Sequence, residues 1–322
     1  MRTTIVILSV DEAPMLAYSL PAARLQQDAD VVVVDNACTD ATAALAHQHG
    51  ARLLRTRHRL SYAEAMNFGL SELTAPAVLI LNADCFPEPG FLAAARPHLD
   101  LDGVGSVAGK LLRATRAVGD EPALGIDAAG MYVNRRRRNG LVGHGRASSS
   151  FSRTAECFGA DGACALYRRE VLEACALSPA AGGLPEVFDE DMALWATDAD
   201  LAWRARLLGY RCVYEPAAVA RHVRTYSPST RAGVSEAHRE LQFRNRYLMW
   251  VKNETRAGLL RDLPLIGAHE LAALGYVLVR ERHLLRGYRA AWTALPAARR
   301  RRAEVQARRV VERVSFGLQA PE

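Results

Sequence analysis

Residues 31–42, VVVVDNACTDAT, decide the fold. The run of valines from Val31 to Val34 reads as a strand buried on both faces, as in a parallel sheet. It stops at Asp35-Asn36, and Cys38-Thr39-Asp40 leads into an alanine-rich helical pattern. A carboxylate therefore sits at the carboxyl end of a parallel strand, just before a helix. Ligands of open α/β sheets bind at that edge. A plain strand-to-helix turn, with Thr39 or Asp40 as N-cap, is the simpler reading of the same residues.

The same rhythm surrounds this segment. Strands are expected at 3–8, 51–55 and 78–81, and helices at 13–27, 41–49 and 61–73. Ser61 and Glu64 have the spacing of a capping box. The alternation implies a mainly parallel sheet covered by helices. The pattern then changes. Residues 103–112 and 124–133 read as strands around glycine-rich turns, 135–138 as a basic run in a hairpin or loop, and 164–167 as a strand before a short helix. Residues 193–208 read as an amphipathic helix ended by Gly209, and 211–214 as a strand stopped by Pro216. From about residue 227 only helices are expected, at 236–252, 268–282 and 286–295, punctuated by Pro264 and Pro296. The predicted organisation is an α/β domain over 1–226 and a helical region over 227–322.

The 322 residues are 50% hydrophobic and 24% charged, with a formal net charge of +6. That suits a soluble globular chain with a substantial core. Lys110 and Lys252 are the only lysines; the arginines suit phosphate groups and anionic lipid surfaces. No nucleic-acid-binding motif accompanies the charge, so no nucleic-acid partner is expected. The six cysteines form no C-x-x-C pair. This argues against a zinc site or a disulfide framework and for a reducing cytosol. The N-terminus opens on a strand without a leader pattern. No run of about 18 apolar residues predicts a membrane-spanning helix. A cytoplasmic protein is expected, with the inner face of the plasma membrane as its other place of work.

Two further segments carry chemistry. VLILNAD, ending at Asn82-Ala83-Asp84, is a short apolar strand with a carboxylate at the same sheet edge as Asp35. A hard cation such as Mg²⁺ or Mn²⁺ prefers such an oxygen and keeps positions open for phosphates. Residues 188–222, FDEDMALWATDADLAWRARLLGYRCVYEPAAVARH, form the longest patterned block.

These three segments resemble, in order, motifs of the family-2 glycosyltransferases: VVDN-x-STD-x-T, then D-x-D or N-x-D, then FDE…EDVDL-x-x-R-x-x-x-x-GY…P…H. The resemblance covers roughly residues 3–254. It implies a GT-A-type α/β fold, a mostly parallel nucleotide-sugar-binding sheet flanked by helices, with a helical C-terminal extension. It also implies inverting transfer of a hexose or deoxyhexose from a nucleotide-diphosphate sugar to a sugar hydroxyl of a glycan or lipid-linked acceptor. In that reading Asp35 contacts the base, Asp84 holds the cation, and Asp198 takes the acceptor's proton. His222 matches a histidine that approaches the metal or diphosphate in relatives, although a lone histidine after a strand is more often structural. Thr197 departs from the pattern by replacing the usual glutamate before the base.

Other matches are shorter. Ser9, Asp11 and Glu12 follow the first strand like the family's base-and-ribose turn, without its Tyr-Asn. Asn67 and Gly69 match an N-x-G element; with Asn82 and Ala83, Asn67 joins the expected nucleotide-sugar-binding set. Gly162, Ala163 and Arg168 resemble an acceptor-side G-x-x-G-A…RR segment, where small residues let backbone approach a sugar. A tight turn entering a buried strand explains the glycines equally. The run 135–138 reads as a solvated charge cluster in preference to a clamp for an anionic acceptor.

Residues 238–254, HRELQFRNRYLMWVKNE, are similar to the region after the histidine in bacterial rhamnosyltransferase-like members. Beyond them, arginines alternate with Leu, Tyr and Trp. That pattern suits helices at a membrane interface, though packing helices need similar faces. Peripheral membrane contact is the expectation. Two competitors remain: a catalytically impaired nucleotide-sugar-binding protein, supported by Thr197, and a sugar nucleotidyltransferase, whose glycine-rich loop with lysine is missing from the N-terminal segment.

Overall fold

A computed structural model describes residues 1–114, 125–179, 182–224 and 233–322. Its first part is β1 (Thr3–Ser9), α1 (Ala13–Arg24), β2 (Ala29–Asp35), α2 (Thr42–Gln48), β3 (Arg52–Arg55), α3 (Tyr62–Ser71) and β4 (Ala77–Asn82). Strand and helix alternate as the pattern predicts, and Ser61 and Glu64 do form a capping box at the start of α3. Next come β5 (Cys85–Pro87), α4 (Phe91–Ala95), β6 (Val104–Arg113), β7 (Ile126–Ala128), β8 (Met131–Val133), β9 (Asn139–Leu141), β10 (Ala155–Cys157), β11 (Cys164–Arg168), α5 (Arg169–Cys175), α6 (Thr197–Leu207) and β12 (Arg211–His222). The chain ends in α7 (Glu236–Asn253), α8 (Arg256–Val279) and α9 (Leu285–Arg308).

One large sheet runs in the order β10-β12-β6-β11-β4-β1-β2-β3. The half built from β3, β2, β1 and β4 is parallel. In the other half β11 is antiparallel to both β4 and β6, while β12 is parallel to β6. Strand alternation sorts the valine run between two cores. Val31 and Val33 join Ile5, Ile7, Leu16 and Leu20 on the α1 face. Val32 and Val34 join Val6, Ala63, Met66 and Ile80 on the α3 face. Each such side chain, fully buried, contributes about 1.5–3 kcal/mol. A Cβ on Gly69 would fall 2.5 Å from Val34 Cγ2, so only glycine lets α3 lie this close to the sheet.

Several expectations need correction. Residues 193–196 are not helical: Ala193, Trp195 and Ala196 have φ of 58°, 69° and 58°, so α6 starts at Thr197. Pro216 does not stop the last strand. It sits in an irregularity between Glu215 and Val219, where a proline needs no ladder hydrogen bond, and β12 continues to His222. Pro264 and Pro296 lie inside α8 and α9. Each leaves the carbonyl four residues back without its helical partner, at the exposed Leu260 and Trp292. Over an 18-residue window α8 has a mean hydropathy of 1.3 and is 17% buried. It is long and apolar enough to cross a membrane by length and composition, contrary to the expectation of no such helix.

The basic run 135–138 is the turn between β8 and β9; Arg135, Arg136 and Arg138 are exposed, as a solvated run would be, but Arg137 is not. Arg137 is 0% exposed. Its guanidinium meets Glu254, Asp262 Oδ2 at 2.8 Å, and the Gly258 carbonyl at 3.0 Å. Arg135 Nε adds a 2.8 Å bond to Asp262. Arg135 and Arg137 therefore fasten α8 and the end of α7 to the β8–β9 hairpin, a two-stranded sheet of its own. The expected boundary near 226, and Leu124 at the start of an expected strand, lie outside the described residues.

Candidate active site

The carboxyl ends of β1, β2 and β4 form one row, because Leu8 pairs with Val34 and Asn82 while Ser9 pairs with Asp35. β2 lies on one side of β1 and β4 on the other, so chain direction across the sheet switches beside β1. A crevice opens above such a switch.

Asp35 lies 1% exposed at this edge. Its Oδ1 accepts from the Cys38 amide at 2.6 Å. Its Oδ2 has no hydrogen-bond partner, and Arg55 Nε stands off at 3.6 Å. A buried carboxylate oxygen left this way is costly; a donor group on a ligand would satisfy it. Ser9 is buried, and its hydroxyl is shared with Thr42 at 2.8 Å. Asp11, at φ 58°, accepts from the Thr39 amide at 2.7 Å and from Arg59. Glu12 is pushed up to about 7 by burial, with Asp84 and Asp40 adding repulsion.

Asp84 and His222 meet at the ends of β4 and β12, with Asp84 Oδ1 3.2 Å from His222 Nε2. The other ring nitrogen, Nδ1, is 2.8 Å from Asp127 Oδ2. Burial opposes protonation of His222, but the two flanking carboxylates raise it to about 10. Burial likewise opposes ionisation of Asp127, yet His222 and Arg224 hold it at about 2. Once His222 gives up its Nε2 proton, this donor set fits a divalent cation. A carboxylate and an imidazole converge, and a second carboxylate orients the imidazole from behind, as at metal sites. Asn82 and Ala83 contribute position: the Asn82 amide donates to the Ala163 carbonyl at 2.9 Å, and Ala83 is buried.

Asp11, Cys38 and Asp40 also offer ligand atoms within 4.8 Å of one another. Their atoms are already engaged. Asp40 accepts from the Ala13 and Thr42 amides at 2.7 and 3.0 Å, and the Cys38 thiol donates to Ser9 O at 3.2 Å. Burial pushes that thiol up, away from the thiolate a metal needs. Asp84 and His222 are the better pair.

Asp198 lies in the first turn of α6, with Oδ2 accepting from Gly162 N at 3.2 Å and Oδ1 from Ala199 N at 2.8 Å. A Cβ on Gly162 would sit 3.5 Å from Asp198 Cβ. Burial pushes Asp198 up to about 6, Asp161 adds to the rise, and backbone amides and Arg224 moderate it. That is the range of a base working near neutrality. Thr197, which precedes Asp198, is 4% exposed.

Three residues missed in the sequence connect the two ends. Arg224 Nε lies 2.8 and 2.9 Å from the Asp127 oxygens, and its NH2 lies 2.7 Å from Asp161 Oδ2. A polar chain thus runs Asp84–His222–Asp127–Arg224–Asp161 and ends beside Asp198. Asp161 lies within the glycine-rich segment already singled out. Arg224 falls two residues after His222, just past the end of β12. Asp127 had no local signal.

Two expected site residues lie elsewhere in function or place. Because β11 runs antiparallel to β4, Cys164 pairs with Leu81 at the site edge and Arg168 with Ala77 at the opposite edge. Arg168 is spent there on Glu170 and the Leu101 carbonyl, so it is no acceptor contact. Asn67 donates to Phe188 O at 2.8 Å and Glu190 Oε1 at 3.0 Å, and accepts from Phe188 N at 2.9 Å. Its amide clamps the segment leading to Asp198 and offers little to a sugar. Asp189 and Asp200 also serve structure: both bind the buried Lys252, and Asp200 also takes Arg204 Nε at 2.9 Å.

The sequence pattern of "Glycosyl transferase family 2" matches residues 4–175. Among curated proteins none matches. Solved structures share the fold. The mannosyltransferase PcManGT from Pyrobaculum calidifontis, in complex with GDP-Man and Mn²⁺, aligns with a TM-score of 0.53 at 21% identity, over 95% of this chain and 79% of that one. S. aureus TarS 1-349, in complex with UDP-GlcNAc, aligns with a TM-score of 0.56 at 13% identity, over 100% and 99%.

Proposed function

The chain belongs to glycosyl transferase family 2 and is a glycosyltransferase, and from that premise we propose that it inverts the anomeric centre of a nucleotide-diphosphate hexose or deoxyhexose while passing it to a sugar hydroxyl. The acceptor is a glycan or lipid-linked saccharide, as in the rhamnosyltransferase-like members its C-terminal region resembles. The observation that carries this reading is the polar chain joining Asp84 and His222 to the vicinity of Asp198. With a cation on Asp84 and His222 and with Asp198 as base, that chain would link the two groups an in-line displacement requires.

Asp35 holds the base of the donor through its unpartnered Oδ2. Asp84 and His222 would hold Mg²⁺ or Mn²⁺, which supplies positive charge to the departing diphosphate. Asp127 keeps the imidazole oriented. Asp198 accepts the acceptor hydroxyl's proton as that oxygen bonds to the anomeric carbon; the carbon–phosphate-oxygen bond breaks and the nucleoside diphosphate leaves. Gly162 keeps room beside Asp198 for the incoming hydroxyl. All six cysteines are free and buried, which suits a reducing cytoplasm.

The test is thermal stabilisation by UDP-, dTDP- and GDP-sugars with and without Mn²⁺, followed by NMR of the product's anomeric configuration. A metal-dependent shift with one nucleotide class and an inverted product support the reading. A retained configuration overturns the inverting mechanism. Donor binding without turnover on any acceptor would favour the impaired binding protein, for which Thr197 is the specific observation.

A further inference from the structure

α8 touches the rest of the chain along one side. Asp262 takes Arg135 and Arg137, Glu270 takes Arg246 and Tyr247, and Ile266 and Val277 are each 2% exposed. At 3.6 residues per turn the opposite side carries Leu260, Leu263, Leu271, Leu274 and Leu278. They are 72, 51, 74, 39 and 47% exposed. Gly267 and Gly275 have open space around them. The one charged residue between Leu263 and Leu278, Glu270, is engaged by α7. A continuous leucine stripe of this kind marks an interaction surface.

We propose that this stripe rests on an anionic membrane surface, with α8 lying in the plane of the interface. Exposed arginines stand at both ends of the stripe, Arg256 and Arg261 at its start and Arg280 and Arg282 at its close. Leucines between arginines match acyl chains beneath acidic headgroups. Trp292 on α9, 76% exposed, is a residue type that favours the same interface. Spanning is a poor fit. Asp262, 3% exposed, is paired with the fully buried Arg137, and drawing α8 across hydrocarbon would break that pair. A second copy is also a poor fit. A two-fold contact along the stripe would set arginine ends against arginine ends.

This inference rests on the surface of α8 and not on the transfer reading, so its test needs no donor. The full chain is mixed with phosphatidylcholine vesicles, with and without phosphatidylglycerol, and sedimented. The chain should follow the anionic vesicles, less so as salt rises. Leu260→Glu with Leu271→Glu should weaken partition about tenfold or more, and Leu260→Ser with Leu271→Ser less. Both positions are mostly exposed, so the thermal midpoint should stay unchanged. No binding to anionic vesicles, or binding indifferent to both pairs, would overturn the proposal. So would a dimer, seen by ultracentrifugation without vesicles, that the glutamate pair dissociates.

Discussion

His222 Nε2 lies 3.2 Å from Asp84 Oδ1, although 138 positions (222 − 84) separate the two in sequence. β5 brings them together: His222 pairs with Cys85 across the short β5–β12 ladder. The pairing turns two isolated matches into one donor set. Asp127 behind the imidazole makes that set rigid.

Asp127→Asn should weaken Mn²⁺ binding about 10–100-fold, because the orienting partner of a metal-binding histidine is lost. The measurement is the Mn²⁺ concentration needed for half of the donor-dependent thermal shift. An unchanged midpoint would remove Asp127 from the metal site.

The rate should depend on pH through Asp198. A base works only when ionised, and Asp198 sits at about 6. Turnover should therefore be full above that value and fall about tenfold per unit below it. Asp161 raises Asp198, so Asp161→Asn should move this acid limb to lower pH. A limb that stays in place would show that another group controls it.

Arg137→Met should cost about 3–5 kcal/mol, since it strands the Glu254 carboxylate in the interior and leaves Asp262 with Arg135 alone. The neighbouring Arg136→Ala should change stability by about 0.5 kcal/mol or less. Urea unfolding of the two variants separates a bolt from a surface charge. Equal effects would mean that the whole run is solvated.

The parallel half of the sheet was legible because a strand buried on both faces leaves an unbroken valine run, and its carboxyl end is where Asp35 and Asp84 stand. The first turn of α6, where Asp198 stands, was legible because the long block around it keeps its register. What failed depended on contacts far along the chain. Arg137 reads as solvated until α8 supplies Asp262. Arg168 reads as a site residue until β11 is seen to run antiparallel, which carries it to the far edge. Asn67 keeps its motif position but spends its amide on Phe188 and Glu190. Asp127 carries no motif at all, and only the strand pairing of β6 with β7 brings it beneath His222.

The central claim is that Asp198 takes the acceptor's proton at a site whose donor pocket stands without it. Single-turnover transfer by Asp198→Asn, measured with the metal-loaded protein and compared with donor affinity, tests this most directly. The account predicts a rate about 10²–10⁴-fold lower with donor affinity unchanged. A rate equal to that of the unaltered chain would contradict it.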